Sequence, residues 1–166
     1  MGPQKMEFEI ETADLLKIDD IELSEILTQV YVAGGFTEPD EAVSLFDPSA
    51  VRQRGMLIAA REKLHSRLAG IVIVVPPDSP ARRLAQNNEA EIHLLAVNPE
   101  YRRHGVGRKL VESAIGIAKH RGYSKIILWT QISMHSAQKL YETTGFTYVN
   151  DIKRNGRDFK VYEMVL

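Results

Sequence analysis

The 166-residue sequence contains no cysteine, which excludes disulfides, thiolate metal sites and a cysteine nucleophile. Its five histidines, at 65, 93, 104, 120 and 135, never form an HxxxH pair, so no metal centre is expected. Long apolar runs are missing as well. The longest, Ile71 to Val75, falls far short of the roughly 20 residues of a membrane-spanning helix. No basic stretch followed by an apolar core and small residues marks a secretory signal at the start. These gaps lead to the expectation of a cytoplasmic protein with no membrane partner. Excess charge of one sign is also missing: 21 Lys and Arg meet 22 Asp and Glu, a net −1, which argues against nucleic acid as a partner. The sum hides a split. The first 50 residues hold twelve acidic side chains against Lys5 and Lys17, a net −10, whereas the rest holds 19 basic against 10 acidic, a net +9. Such asymmetry fits either one acidic and one basic binding surface or a scatter of both signs over the folded surface.

With 44% apolar residues and no linker or repeat, the chain reads as one domain spanning 1–166. Residues 6–12 (MEFEIET) alternate apolar and polar, as a strand with one buried face does. Apolar residues from Asp20 to Ala33 recur at helical spacing, and Gly34 and Gly35 supply a stop. A second short helix is predicted at 38–46, with Thr37 as its cap and Pro39 in its first turn. Strands are predicted at 56–61 and 67–75, then a Pro-rich polar loop at 76–88 and another strand at 90–97. A helix at about 105–121, a strand at 125–130, a helix at about 133–144 and strands at 146–153 and 158–165 complete the chain. Asn155 and Gly156 mark the last turn as a hairpin. The order β, α, α, β, β, β, α, β, α, β, β has three consecutive strands in the middle, which excludes a strictly alternating doubly wound fold. It predicts an α/β protein with a mixed sheet flanked by helices.

Residues 97–108 (VNPEYRRHGVGR) lie between a predicted strand and a predicted helix. Gly105 and Gly107 allow a tight turn that aims several N–H groups at one spot. The helix N-terminus adds its positive dipole end, and Arg102, Arg103 and Arg108 add charge, a combination suited to a diphosphate. The same residues also fit a glycine-containing turn with solvated arginines. A dinucleotide-binding fingerprint would need a third glycine, and a Walker site would need GKS or GKT. The run AVNPEYRRHGVGRKLVESA resembles the coenzyme A binding segment of the GCN5-related N-acetyltransferase family. The family pattern, Arg or Gln, two residues, Gly, one residue, then Gly or Ala, falls on Arg102, Gly105 and Gly107. AQKLYETTGF at 137–146 resembles the family's second signature, LY followed by GF.

The resemblance implies an acyl-CoA N-acyltransferase fold with a mostly antiparallel sheet, and acetyl-CoA as acyl donor to an amine acceptor in a monomer or homodimer. It implies that the backbone N–H groups of Arg103, His104, Gly105, Val106, Gly107 and Arg108 hold the coenzyme's pyrophosphate. The backbone of Leu95, Ala96 and Val97 would pair with the pantetheine arm, and an N–H near Leu95 would face the acetyl carbonyl. Strict alternation along AEIHLLAV sends Glu91, His93, Leu95 and Val97 to one face. Glu91 matches the position of the family's catalytic glutamate and is expected to act as general base through water, with His93 as relay or substitute. Tyr141 fills the tyrosine of the LY signature, the family's general acid. Where the family often has an Asn for pantetheine, this chain has Met134, and Ser133 or Ser136 is expected to substitute.

The family's first two helices line the acceptor side, and here they carry Asp19, Asp20, Glu22, Glu25, Glu38, Asp40 and Glu41. A positively charged amine is therefore the expected acceptor, with an ordinary solvated helix face as the alternative reading of those carboxylates. A protein N-terminal or lysine acetyltransferase, and a non-catalytic acetyl-CoA sensor, are the alternative functions.

Overall fold

The computed structural model describes residues 5–166. Its sheet contains β1 (Phe8–Thr12), β2 (Met56–Glu62), β3 (Leu68–Val75), β4 (Glu89–Val97), β5 (Lys125–Gln131), β6 (Thr147–Arg154) and β7 (Arg157–Val165), in the spatial order β1-β2-β3-β4-β5-β7-β6. Every neighbouring pair is antiparallel except β4 and β5. That parallel pair follows from the crossover through α4 (Val106–His120), since two parallel neighbours cannot be joined by a hairpin. The predicted mixed sheet is thus found, with helices on both faces.

α1 (Asp20–Leu27), α2 (Pro39–Leu45) and α3 (Pro48–Gln53) belong to one face, where Leu23, Ile26, Leu27 and Val51 share a core with Leu57, Ile71, Ile73 and Val75. α4 and α5 (His135–Thr143) belong to the other. There Val106, Leu110, Val111 and Ala114 meet Val72, Val74, Ile92, Ile126 and Leu128, and Tyr141 joins them from α5. β3 is buried along its whole length, which is why its sequence is a continuous apolar run rather than an alternation.

Three local features differ from expectation. The helix predicted over Asp20–Ala33 changes pitch: α1 ends at Leu27 and Thr28–Val32 form a π turn, closed by the Ala33 N–H donating to the Thr28 carbonyl at 3.0 Å. Apolar spacing does not distinguish the two pitches over so few residues. The cap of α2 is Glu38 and not Thr37, because Pro39 takes the first helical position. α3 was not predicted, although Asp47 caps it and Pro48 opens it; a six-residue helix is too short to show a period. The loop at 76–88 contains neither helix nor strand, as expected.

α1 is anchored at its start. The Glu22 N–H donates to Asp19 Oδ1 at 2.7 Å, while the Glu22 carboxylate accepts from the Asp19 N–H and from Arg61 Nη1 at 2.8 Å. Asp19→Ala is expected to lower stability by about 1 kcal/mol. Urea unfolding checks this as a lower midpoint with an unchanged slope.

Candidate active site

β4 occupies the middle of the sheet, and two irregularities in it create the site. The first is a bulge: Ile73 faces His93 but Ile71 faces Ala96, so β4 has one residue more than β3 between these pairs, and Leu94 takes a φ of +51°. The bulge breaks the alternation expected from AEIHLLAV. Glu91 and His93 stay on the face of α1–α3, but Leu95 and Val97 turn to the α4–α5 face, and Leu94 and Ala96 take the places predicted for them. The second irregularity is a splay. β4 and β5 pair only from Glu89↔Lys125 to Glu91↔Ile127 and then separate, which leaves a gap in the sheet beside residues 92–97.

A cavity of about 430 Å³ occupies this gap. Tyr141, Met134, Ala137, Thr130 and Leu95 line it from the α4–α5 side; His93, Arg54, Trp129, Tyr31, Phe46 and Arg83 line it from the other. The cavity therefore connects the two faces of the sheet, and the bulge and splay of β4 are what open it.

His93 is 7% exposed, and its Nε2 lies 2.8 Å from Glu91 Oε1. Glu91 is fully buried behind it and does not line the cavity. Its other oxygen accepts three consecutive backbone N–H groups, from Arg83 at 2.8 Å, Leu84 at 2.5 Å and Ala85 at 2.7 Å. Burial would raise the Glu91 pKa, but His93 and these three donors outweigh it and hold the carboxyl below its ordinary range. The loop at 76–88 thus serves Glu91 directly. Glu91 is an ionised, saturated acceptor, whereas His93 is the group that reaches the cavity.

His93 Nδ1 lies 3.4 Å from Arg54 Nη1, and a guanidinium can only donate, so the network assigns the Nε2–H tautomer with the Nδ1 lone pair turned away from Glu91. Burial lowers the His93 pKa, Arg54 and Arg83 lower it further, and Glu91 offsets only part of this. The imidazole is therefore neutral at pH 7. Trp129 fixes its plane by an edge contact at 5.0 Å between ring centroids.

On the opposite side Tyr141 is 5% exposed and packs against Phe146 at 5.7 Å and Tyr162 at 6.3 Å. Burial pushes its pKa well above the usual tyrosine value, so the phenol keeps its proton. Thr130 is buried and lines the same cavity, on the α4–α5 face by strand alternation, and its hydroxyl has no hydrogen-bond partner among the described residues. A buried hydroxyl without a partner on a cavity wall is suited to a ligand. Tyr31, set by the π turn, donates from its hydroxyl to the Leu95 carbonyl at 2.8 Å and so ties the first helical segment to the bulge.

The predicted anion segment lies at the start of α4. Arg102, Arg103, His104, Gly105 and Arg108 are exposed, and Val106 is buried beneath them. Arg103 and Gly105 have φ of +66° and +77°, and no side chain caps the helix. The backbone N–H groups of 103–108 have no acceptor among the described residues. This is a nest of the kind that binds anions. Gly107 plays a different part from the one expected. Its backbone is helical, and a Cβ there would come within 3.0 Å of Leu140 Cδ2, so its glycine serves close packing of α4 on α5 and not the turn.

Other expected residues fall elsewhere. Ser133 and Ser136 are exposed at the start of α5 and do not line the cavity, whereas Met134 does. Ala96 is buried in the core on the α1–α3 face, and Val97 lies near Gly107. The acidic first segment does not surround the cavity either. Asp19 caps α1, Asp20 pairs with Arg52, Glu22 pairs with Arg61, and only Glu41 of the seven carboxylates lines the wall. Arg54, Thr130, Trp129 and Arg154 had no signal in the sequence, because nothing in their local pattern shows that the splay of β4 and β5 brings them together.

A family model described as "Acetyltransferase (GNAT) family" matches residues 21–146. N-acetyltransferase family 8 member 3 of Rattus norvegicus is 34% identical over 80 residues, covering 48% of this chain and 34% of that protein. N-alpha-acetyltransferase 30 of Schizosaccharomyces pombe is 34% identical over 70 residues, covering 40% of this chain and 47% of that protein. The matches thus span about a third to a half of the length of these curated relatives. Among solved structures, an acetyltransferase of Bacillus subtilis in complex with CoA superposes with a TM-score of 0.66 at 22% identity, covering 98% of this chain and 99% of that one, a likeness of fold. With the family model matching most of the chain, and the bulged, splayed β4 facing a nest at the start of α4, the protein belongs to the acetyltransferase (GNAT) family.

Proposed function

We propose that this protein is an acetyl-CoA-dependent N-acetyltransferase that passes an acetyl group to a primary amine by direct attack. The observation that carries the reading is the cavity through the β4–β5 gap, with a neutral, carboxylate-backed imidazole on one side and a protonated phenol on the other. The nest at 103–108, with Arg102, Arg103 and Arg108 around it, is the seat for the coenzyme's diphosphate, and the edge of Leu95–Val97 that β5 leaves without a strand partner, its Leu95 carbonyl held by Tyr31, is the seat for its pantetheine arm. Thr130, rather than Ser133 or Ser136, is the side chain on the cavity wall with a hydrogen bond to offer where Met134 has none.

An alkyl amine with pKa near 10.4 is protonated at pH 7, and freeing it costs roughly 4–5 kcal/mol at about 1.36 kcal/mol per unit. His93 Nδ1 takes the remaining proton as the C–N bond forms, and Glu91 stabilises the imidazolium that results. The Leu95 N–H, on the cavity wall, is the donor for the oxygen that gains charge. Tyr141 donates its proton or a hydrogen bond to the departing thiolate. Tyr141→Phe is expected to lower kcat by ~10²-fold with little change in the affinity for acetyl-CoA. Thiol release with acetyl-CoA and a panel of amines tests the reading, and binding of acetyl-CoA without transfer to any amine or peptide would favour a sensor instead.

A protein N-terminus as acceptor is the second reading, supported by the name of the S. pombe relative. The geometry favours a small acceptor. Gln131 Nε2, at the end of β5, donates to the Phe36 carbonyl at 2.6 Å and Arg157 of β7 donates to the same carbonyl, which ties both strands to the segment before α2 and narrows the space for a peptide there.

A further inference from the structure

The charge on the acceptor side of the cavity argues against an acceptor of net positive charge. Arg54, Arg83, Arg154 and Arg157 line it, against Glu41 alone among carboxylates. Arg157 has Glu38 at 3.8 Å, but Arg54, Arg83 and Arg154 have no carboxylate within ion-pair distance among the described residues. Arg54 donates to the Leu45 carbonyl at 3.1 Å, and its other nitrogen lies 3.4 Å from His93 Nδ1. The Arg83 guanidinium donates only to the carbonyls of Pro80 and Arg82 among the described residues. Arg154 lies over the Trp129 ring at 5.6 Å. These cations converge from three separate places in the chain: the segment after α3, the loop at 76–88 and the β6–β7 hairpin.

Arg54 and Arg154 are half-buried and Arg83 is exposed at the rim; half-buried charge without a counter-ion is costly, and a neighbouring like charge adds to the cost. An anion arriving with the acceptor would remove it. A guanidinium presents a planar fork that matches a carboxylate with two parallel hydrogen bonds. Resting on the transferase reading above, we infer that the acceptor is a small amine that also carries a carboxylate, an α-amino acid with an apolar side chain, whose carboxylate is held by Arg54 with Arg83 and Arg154. Phe36, Leu45, Phe46 and Phe159 supply the apolar part of the wall. The same contact has a second effect. Arg54 drawn to the carboxylate leaves His93 Nδ1, so the lone pair that takes the amine proton is uncovered by the correct acceptor itself.

The test compares, by thiol release, phenylalanine and the other proteinogenic amino acids with their primary amides and with phenethylamine. The expected result is a kcat/KM for the acid at least about tenfold above that of its amide and of the decarboxylated amine. In Arg54→Gln that ratio falls toward one, while Arg54→Lys keeps part of it and Arg154→Gln lowers it less. Because the ratio is taken within one protein, a partly folded variant still reports. Amides or phenethylamine turning over as fast as the acids would overturn the inference and leave the transferase reading intact. Acetylation of peptides with no turnover of free amino acids would overturn it too, in favour of a protein acceptor. No thiol release with any amine would overturn both.

Discussion

His93→Gln is expected to lower kcat/KM for acetyl transfer by ~10²–10⁴-fold, the range of a positioned general base. The glutamine keeps a donor toward Glu91 and loses the basic lone pair. The pH profile separates this from simple damage. Wild-type kcat/KM should fall on acidification with an apparent pKa below 6.5, because burial, Arg54 and Arg83 together depress the His93 value more than Glu91 raises it. The variant should lack that limb. Stability follows the same group: a folded-state pKa below the unfolded value means that the unfolded chain takes up the proton first, so stability is lost as the pH falls from about 6.5 toward the folded pKa. Denaturant titrations at several pH values should show this stage in the wild type and not in the variant. An acid limb that persists in His93→Gln would sink the assignment.

Glu91→Gln should be nearly as damaging although Glu91 never touches the cavity. Its Oε2 accepts three backbone N–H groups and its Oε1 holds His93 Nε2, so a glutamine that satisfies the loop turns its amide nitrogen toward the imidazole. Two donors then face each other. The ring proton moves to Nδ1, where it meets the Arg54 guanidinium, and the lone pair needed by the amine is gone. The expected drop in kcat is ~10²–10⁴-fold, with a stability loss of about 1–3 kcal/mol from the weakened charge-assisted bonds. The double variant Glu91→Gln, His93→Gln should be little worse in kcat than either single one, since both remove the same proton acceptor. Nitrogen NMR of the imidazole reads the tautomer directly. Additive losses, or an unchanged tautomer, would mean that Glu91 acts by some other route.

Much of the candidate site was legible because its geometry is carried by short local patterns. Gly105 needs a left-handed φ of +77°, the uncapped N–H groups that follow need no other residue to exist, and the arginines at 102, 103 and 108 adjoin them in the chain. Tyr141 stands in a helix whose apolar spacing already turned it inward. Glu91 and His93 were legible as a pair on one strand face, but their division of labour was not. The loop whose N–H groups saturate Glu91 and the arginine that faces His93 come from 83–85 and 54, and no period links these positions to β4.

The bulge at Leu94 shows the limit most directly. A period of two continues unbroken through AEIHLLAV, yet one extra residue opposite β3 turns Leu95 and Val97 to the other face and gives the site its two sides. Charge shows the same limit on a larger scale. By itself, the sequence determined the element order, the glycine-dependent anion nest and an acidic first segment against a basic remainder, all properties of neighbouring residues. Only the tertiary structure decided where those charges went: the acidic side chains cap helices and pair with Arg52 and Arg61, while the arginines gather at the gap between β4 and β5. Local pattern sets which face of an element is buried, but the charge at a site depends on which distant segments meet there. The net −1 of the chain said nothing about a cavity whose wall is predominantly positive.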